Sequence, residues 1–295
     1  MIPTLLTNAI KGLPTAIARC ISLIEHEGES YQQILENLPN TNVPIIGITG
    51  PPGAGKSTLT DQLIATMLAD GKKVAVLCID PSSPFHHGAL LGDRIRMSRW
   101  YNNEHVFIRS LASKATLGGL SPKVIEITDL LKALPFDVVI VETIGVGQNE
   151  IEIASLADIT MVVLVPEAGD DIQTMKAGLM EVANLFVVNK SDRAGANTFV
   201  KYLKNMLASA NNEVTRQVPV VKTIAHKGEG IKELYEILVN EIEQATTIDK
   251  KINLQASKAY TLLQNKKMKG ITKYHIIEKI KEYPTENLYT IINKM

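Results

Sequence analysis

The sequence predicts an α/β fold in which a mostly parallel β-sheet is flanked by helices. Short apolar runs alternate with amphipathic stretches along the chain. Most of these runs are continuous rather than alternating, which is typical of strands covered on both faces. Glycine-rich and polar motifs follow the ends of the runs, where ligands bind in sheets of this kind. Repeated strand–helix units favour parallel strands joined by right-handed crossovers.

The strands and helices can be placed from the apolar pattern. We predict strands at Ile45 to Thr49, Val74 to Ile79, Val106 to Ile108, Val138 to Val141, Ile159 to Val165, Leu185 to Val188 and Val218 to Val221. We predict helices at Ser57 to Asp70, Val124 to Leu134, Ile172 to Val182, Thr198 to Asn211 and Ile231 to Ile242.

Helical segments flank this pattern on both sides. Ile17, Ile21 and Ile24 recur at helical spacing and predict an N-terminal helical arm over residues 1–42. Residues 43–247 carry the α/β domain, and the pattern over residues 248–295 is only helical. This C-terminal extension has ten lysines and four acidic residues. That balance is typical of a solvated helical surface, or of a docking face for an acidic partner.

The composition narrows the class of protein. The 31 basic and 31 acidic residues give a formal net charge of +0, so nothing favours binding to nucleic acid or to a membrane surface. Cys20 and Cys78 are far apart and build neither a disulfide framework nor a zinc site. No apolar stretch is long enough to span a bilayer, and the first residues make no convincing signal peptide. We therefore expect a cytoplasmic protein.

The segment GITGPPGAGKST is predicted to form a strand, a phosphate-binding loop and the start of a helix. Its spacing matches the Walker A pattern in the required context. The glycines let successive backbone amides point at phosphate oxygens, while Lys56 neutralises the β- and γ-phosphates and Ser57 binds Mg²⁺. Lys56 is thus also a candidate catalytic residue. The predicted nucleotide-binding residues of the loop are Gly50, Pro51, Pro52, Gly53, Ala54, Gly55, Lys56, Ser57 and Thr58.

A second motif predicts that the nucleotide is GTP or GDP. Asn189, Lys190 and Asp192 follow a buried strand in the pattern NKxD. The Asp192 carboxylate can accept hydrogen bonds from the ring N–H and the exocyclic amine of guanine, a donor pair that adenine lacks. Asn189 would fix the loop and the base edge, and the Lys190 stem would cover the ring.

A further loop is a candidate for contact with the base. Ile224, Ala225 and His226 follow the last predicted strand. The backbone amide of Ala225 is well placed to meet the guanine carbonyl. The alternative is an ordinary turn from strand to loop.

Carboxylates at strand ends are candidate ligands for Mg²⁺, which prefers a few carboxylates together with water and phosphate oxygens. Asp80, Asp93 and Glu142 are the candidates beside Ser57, directly or through water. For Asp93, the alternative is the N-cap of an ordinary helix. Glu142 occupies the place where many GTPases carry DxxG, and Gly145 would offer its amide to the γ-phosphate.

Several segments together resemble the MeaB/ArgK family, the GTPases associated with methylmalonyl-CoA mutase. They are GPPGAGKST, IDPSSP, LGDRIRM, VETIGVGQNEIEI, PEAGDDIQTMKAGLMEVAN and NKSD. The resemblance covers roughly residues 12 to 245 and implies a SIMIBI-type P-loop fold, in which dimers are frequent. The chain departs from the family near Asp93, where His87-Gly88 replaces a Gly-Gly pair, and its lysine-rich tail matches poorly.

The resemblance also implies a partner and further site residues. The chain would gate cofactor loading and protect an adenosylcobalamin-dependent acyl-CoA mutase. Gln173 and Lys176 match a mobile third switch and are implied as catalytic or signalling residues. Asp80, Asp93 and Glu142 are implied as the magnesium shell, with Glu142 also counted as catalytic, and the C-terminal helices as a dimerisation arm. The chain has no DxHxxG motif, so any cobalamin would belong to the partner.

Other classes of protein use the same loop. A metallochaperone GTPase that delivers nickel would need a cluster of Cys and His ligands, whereas this chain has two isolated cysteines. A small-molecule kinase would use ATP, and the NKxD motif argues against ATP. A GTP-binding protein that does not hydrolyse its nucleotide is a further alternative.

Overall fold

The structure is a computed structural model that describes residues 2–81, 97–113, 122–143, 152–167, 180, 182–210, 218–245, 248–284 and 286–295. Asp93, Gly145, Gln173 and Lys176 lie outside the described residues, as does most of the helix predicted at Ile172 to Val182. For Asp80, only the backbone is described.

Parallel strands form one seven-stranded sheet in the order β3-β2-β4-β1-β5-β6-β7. The strands are β1 (Ile45–Thr49), β2 (Val74–Pro81), β3 (Val106–Ser113), β4 (Val138–Thr143), β5 (Ile159–Leu164), β6 (Leu185–Val188) and β7 (Val220–Lys222). Every predicted strand is present, and the predicted α/β class is confirmed. The residues of β1, β4, β5 and β6 are buried throughout, as expected for strands covered on both faces.

Strand ends differ from the predictions where polar residues interrupt the apolar runs. β3 was predicted to end at Ile108, but its ladder with β2 continues to Ser113. Backbone hydrogen bonds sustain this ladder whatever the side chain. Arg109, the first polar residue of the extension, donates to Glu25 at 3.1 Å. β7 begins at Val220, two residues later than predicted.

Helices surround this sheet. Within the described residues, the α-helices are α1 (Ile2–Ile10), α2 (Pro14–Glu25), α3 (Tyr31–Glu36), α4 (Lys56–Ala69), α5 (Pro122–Lys132), α6 (Ala196–Ala210), α7 (Ile231–Ala245), α8 (Ile248–Lys267), α9 (Lys273–Glu282) and α10 (Leu288–Asn293). Short 3₁₀ turns occur at Ser98–Trp100, Ile153–Ser155 and Ala225–Lys227.

Apolar side chains cover the sheet on both faces. On one face, Ile17, Ile21 and Ile24 of α2 share a buried cluster with β1, β2, β4 and α5. On the other face, α4 and α7 share a second cluster with the sheet. A third cluster joins α6 to β5 and β6. The N-terminal helices therefore pack on the same sheet that carries the nucleotide motifs.

The C-terminal helices have a different character. Leu262 of α8 packs against the first apolar cluster, and Lys258 of the same helix bonds to Asp129 of α5 at 3.0 Å. In α9 and α10, large apolar side chains remain exposed, among them Tyr274 at 78% and Tyr289 at 79%. None of the helices in the described ranges combines the length and apolar character needed to cross a membrane.

Candidate functional site: a phosphate-binding loop and its neighbours

Glycines shape the loop between β1 and α4. Gly50, Gly53 and Gly55 have φ angles of 136°, 76° and 88°, in the region that side chains rarely adopt. A Cβ on Gly50 would lie 2.1 Å from the Val163 carbonyl oxygen of β5. A Cβ on Gly55 would lie 2.4 Å from Asn189 Nδ2. The loop therefore approaches its neighbours more closely than any residue with a side chain allows.

Lys56 is the first residue of α4 and is only 6% exposed. Its Nζ donates to the carbonyl oxygens of Gly50 at 2.7 Å and Pro51 at 3.0 Å. The ammonium group thus lies over the loop, next to the positive N-terminal end of the helix. Together they place positive charge beside the loop, which suits a phosphate group.

Glu142 lies near the end of β4 and is 4% exposed. Its two carboxylate oxygens accept hydrogen bonds from α4. Ser57 Oγ donates to Oε1 and Thr60 Oγ1 donates to Oε2, both at 2.7 Å. The Glu142 backbone pairs with Ile48 of β1 and Cys78 of β2, so this carboxylate lies at the strand end nearest the loop.

Asn189 connects the NKxD segment to two other loops. Its side chain is buried, and Nδ2 donates to the Ala54 carbonyl oxygen at 2.9 Å. Its Oδ1 accepts hydrogen bonds from the Ala225 amide at 3.1 Å and from Thr223 Oγ1 at 3.2 Å. One amide side chain therefore holds the phosphate loop and the Ala225 turn at fixed distances from the end of β6.

Lys190 and Asp192 lie on the more exposed side of this segment. Lys190 has a φ angle of 56°, and its Nζ donates to the Gly53 carbonyl oxygen at 2.7 Å. The Asp192 carboxylate lies 3.6 Å from the Lys227 ammonium group, and both side chains are partly exposed. Beside them, a hydrogen bond from Arg193 lowers the pKa of Glu167.

The sequence matches a protein family described as "Methylmalonyl Co-A mutase-associated GTPase MeaB" over residues 17–283. The chain belongs to this family. It is a P-loop GTPase, which binds and hydrolyses guanine nucleotide.

Individual relatives are similar over most of this chain. A protein of Pyrococcus abyssi described as a GTPase is 47% identical over 242 residues, which are 80% of this chain and 74% of that protein. A protein of Geobacillus kaustophilus named fused isobutyryl-CoA mutase is 35% identical over 273 residues. That match covers 85% of this chain but only 25% of the larger protein.

Solved structures agree with the fold. The crystal structure of an LAO/AO transport system kinase matches 99% of this chain and 95% of its own, with a TM-score of 0.72 and 26% identity. The hydrogenase maturation factor HypB of Archaeoglobus fulgidus matches 76% of this chain and 99% of its own. Its TM-score is 0.53 and its identity 18%, so this second likeness shows the fold alone.

The structure brings together most of the described residues that we had singled out from the sequence. The loop from Gly50 to Thr58, Glu142 and the NKxD segment lie at the carboxyl ends of β1, β4 and β6. Ala225 is buried beside Asn189, whereas His226 is exposed. The Ala225 amide donates to Asn189, and its contact with a guanine carbonyl stays a prediction.

Sequence reasoning missed two polar contacts at this site. Thr60 lies one helical turn after Ser57, so i,i+3 spacing could have placed it on the same face. Lys227 faces Asp192 from another loop, a juxtaposition that no local spacing reveals. Both were missed because the partners are far apart in sequence.

A third missed contact fixes the 3₁₀ turn at Ser98–Trp100 to α4. Arg99 donates to both carboxylate oxygens of Asp61, at 2.8 and 2.6 Å, and Trp100 Nε1 donates to Oδ1 at 2.7 Å. The Arg99 guanidinium also stacks 4.4 Å from the centre of the Trp100 ring. These hydrogen bonds attach the 3₁₀ turn to α4, the helix that carries Lys56 and Ser57.

Proposed function

We propose that this GTPase is a Mg²⁺-dependent chaperone of an adenosylcobalamin-dependent acyl-CoA mutase. It gates the loading of the mutase cofactor and protects the mutase from inactivation. The carrying observation is the relative named fused isobutyryl-CoA mutase, in which a segment like this chain forms part of a longer mutase polypeptide. Fusion in one polypeptide keeps two activities together, and this supports association of the present chain with a separate mutase.

Nucleotide binding follows from the loop and α4. Backbone amides of the glycine-rich loop and the N-terminal end of α4 bind the phosphates. The Lys56 ammonium exchanges its neutral carbonyl acceptors for charged phosphate oxygens, because charge-assisted hydrogen bonds are stronger. Asp192 selects guanine, and its contact with Lys227 keeps a cation beside the carboxylate before the base arrives.

The residues around Ser57 fit a magnesium ion. A hydroxyl and a carboxylate oxygen lie 2.7 Å apart at the buried end of β4, and hard oxygen donors are the ligands that Mg²⁺ prefers. Ser57, Glu142, Asp80 and Asp93 would hold it. Bound Mg²⁺ neutralises charge on the phosphates as it develops during transfer.

The remaining roles concern residues outside the described ranges. We propose that the Gly145 amide senses the γ-phosphate and that Gln173 and Lys176 act in hydrolysis or in signalling to the mutase. Gly145 follows β4 by two residues, close in sequence to Glu142. Loss of the γ-phosphate near Glu142 would therefore act on Gly145 through only a few residues of backbone.

The C-terminal extension, residues 248–295, is proposed as a dimerisation arm beside the GTPase domain at 43–247 and the N-terminal helices at 1–42. Exposed apolar side chains on α9 and α10 support this, since Tyr274, Ile277, Tyr289 and Ile292 are all open to solvent. A second copy of the chain would cover them. Changing Tyr274 and Tyr289 to Ser should shift the sedimentation of the chain toward monomer.

The alternative is a metallochaperone that delivers a metal to another enzyme. The likeness to HypB is the observation on its side, and this likeness reaches only the fold. Among the residues that the structure describes, no group of three His, Cys, Asp or Glu side chains is arranged to hold a metal ion. The two proposals differ in which enzyme changes the rate of GTP hydrolysis.

Single-turnover hydrolysis tests the chaperone proposal. Radiolabelled GTP is loaded onto the chain, and its cleavage is followed alone, with an adenosylcobalamin-dependent acyl-CoA mutase, and with an unrelated acyl-CoA enzyme. We expect the rate of GTP cleavage to change when the mutase is added and to stay the same when the unrelated enzyme is added. Lys176→Ala should reduce that stimulation while GTP affinity stays the same. Equal rates in all three mixtures would exclude the mutase as partner, although the GTPase assignment would stand.

A further inference from the structure

Thr60 makes a contact that the general plan of the phosphate-binding loop does not require. It is fully buried in α4, and its Oγ1 lies 2.7 Å from Glu142 Oε2. Ser57, one helical turn earlier, holds the other oxygen of the same carboxylate at 2.7 Å. Two hydroxyl groups of α4 therefore donate hydrogen bonds to the two oxygens of one carboxylate.

The Thr60 hydroxyl has two acceptors within reach but only one hydrogen. Besides Glu142, its Oγ1 lies 3.0 Å from the Lys56 carbonyl oxygen. That carbonyl is already the acceptor for a backbone N–H within the helix. The carboxylate is charged and closer, so the hydroxyl hydrogen is directed to Glu142.

The length of the Glu142 side chain explains why a second anchor is useful. Glutamate is longer than aspartate by one methylene group, about 1.5 Å, and has one more rotatable bond to fix. The hydrogen bond from Ser57 reaches only one of the two carboxylate oxygens. A second hydrogen bond, to the other oxygen, fixes the plane of the carboxylate.

We propose that Thr60 is a positioning residue for the magnesium site, acting through Glu142. By fixing Oε2, it leaves Oε1 facing Ser57 and the phosphate-binding loop. Ser57 can then donate its hydrogen to Oε1 and turn a lone pair toward the metal, since a hydroxyl has two lone pairs. This inference rests on the proposed Mg²⁺ site, and it assigns the geometry of that site to a residue that touches neither metal nor nucleotide.

Release of a fluorescent GDP analogue tests the proposal without measuring hydrolysis. The full chain is loaded with N-methylanthraniloyl-GDP, and release is followed over a series of Mg²⁺ concentrations and in EDTA. We expect Thr60→Val to need roughly tenfold to a hundredfold more Mg²⁺ than the wild type for the same retention. The release rate in EDTA should not change. Thr60→Ser, which keeps the hydroxyl, should restore the wild-type Mg²⁺ dependence.

Thr66 provides a matched control on the same helix. Its hydroxyl donates to the Gln62 carbonyl oxygen at 3.0 Å, in the usual manner of a helical threonine. Thr66→Val should leave the Mg²⁺ dependence unchanged. If Thr60→Val does not fold, Thr60→Ala removes the hydroxyl without adding a branched side chain and is measured instead. In a Glu142→Gln background, either change at Thr60 should add little.

Two results would overturn the proposed role of Thr60 and leave the proposed metal site standing. One is an unchanged Mg²⁺ midpoint in Thr60→Val. The other is an equal loss of nucleotide in Mg²⁺ and in EDTA, which would mean that the hydroxyl only supports the folded loop. A wild-type chain that retains GDP equally well with and without Mg²⁺ would overturn the proposed metal site itself, and the Thr60 proposal with it.

Discussion

The carboxyl edge of the sheet and the C-terminal helices differ in how their polar side chains are held. At the sheet edge, Glu142 and Asn189 are almost fully buried, and each makes several hydrogen bonds to other elements. In the C-terminal extension, residues 248–295, several polar contacts are exposed ion pairs, such as the one between Glu27 and Lys269, which lies between α8 and α9. The large side chains there, such as Tyr274 and Tyr289, face solvent.

This difference shows which contacts hold each region in place. Buried polar groups are costly when a partner is lost, so the hydrogen bonds of Glu142 and Asn189 fix the geometry of the described part of the sheet edge. Exposed ion pairs contribute little to stability, so the C-terminal helices are held loosely by comparison. Their exposed apolar side chains are the surface that the proposed dimerisation arm would bury. Substitutions in the two regions should therefore differ in their effects, with the largest effect at the phosphate-binding loop.

Lys56→Ala should abolish tight binding of GTP. The change removes a buried cation from the phosphate site, and hydrogen bonds to charged groups contribute about 1.5–3 kcal/mol each. We expect affinity to fall by roughly a hundredfold or more, measured by calorimetric titration with a non-hydrolysable GTP analogue. Lys72→Ala, on the exposed turn after α4, is the control and should bind normally. Unchanged affinity in Lys56→Ala would remove this loop as the phosphate site.

Asp192→Asn should change the preferred base from guanine to xanthine. The amide of asparagine can donate to the carbonyl that xanthine has in place of the guanine amine, whereas the lost carboxylate can no longer accept from both guanine groups. We expect guanosine diphosphate to bind about a hundredfold more weakly and xanthosine diphosphate to bind better, in competition with a fluorescent nucleotide. If the preference between the two bases stays as it was, Asp192 does not contact the base.

Gly50→Ala should destabilise the chain far more than Gly53→Ala. Both glycines have a positive φ angle, which costs alanine about 1–2 kcal/mol. Only Gly50 lies against another strand, where the new Cβ would meet the Val163 carbonyl oxygen, while Gly53 has open space around it. Urea denaturation of the two variants should therefore show the larger loss of unfolding free energy for Gly50→Ala. Equal losses would mean that the close approach to β5 is not needed.

The smallest effects are expected at the lysines of the C-terminal extension, residues 248–295. Lys258 is 9% exposed and pairs with Asp129, while Lys269 is 64% exposed and pairs with Glu27. Lys258→Met should lower the unfolding free energy by about 1 kcal/mol, because it removes a nearly buried hydrogen-bond donor from Asp129, and Lys269→Met, at an exposed pair, should have a smaller effect. Thermal denaturation at low and high salt measures both. A large loss at Lys269 would contradict the loose attachment of this region.

The pH dependence of the Lys269–Glu27 pair gives a further check. The hydrogen bond from Lys269 lowers the pKa of Glu27 below its usual 4.5. The pair therefore stabilises the folded chain above pH 4.5, and this contribution is lost as the pH falls through the lowered pKa. In a Glu27→Gln background, Lys269→Met should not change the unfolding free energy at neutral pH. In the wild-type background, the effect of Lys269→Met should be present at neutral pH and absent in acid. Urea denaturation at both pH values measures this.

The fold could be predicted from the sequence because burial on both faces leaves a continuous apolar run at each strand. β1 and β6 have the predicted bounds, since glycine or polar motifs end both runs abruptly. β3 was predicted too short because Arg109 and Ser110 break its apolar run, although its backbone pairing continues. Strand pairing depends on main-chain hydrogen bonds, and these leave no trace in side-chain pattern.

The candidate site was predictable where its residues adjoin one another in the chain or end a predicted strand, as Glu142 does. The loop from Gly50 to Thr58 and the NKxD segment carry their spacing in the sequence itself. The contacts of Thr60 with Glu142 and of Lys227 with Asp192 join residues from different elements. Such contacts follow from the order of strands in the sheet, which single-sequence patterns do not specify.

The position of β1 between β4 and β5 has a consequence for the making of the protein. The loop that follows β1 rests on Val163, and its Ala54 carbonyl is bound by Asn189, which is 135 residues further along the chain. A growing chain on the ribosome thus completes its first motif only after most of the sheet has been translated. Capture of a guanine nucleotide then reports that synthesis of the sheet is essentially finished, and a truncated product would not acquire one.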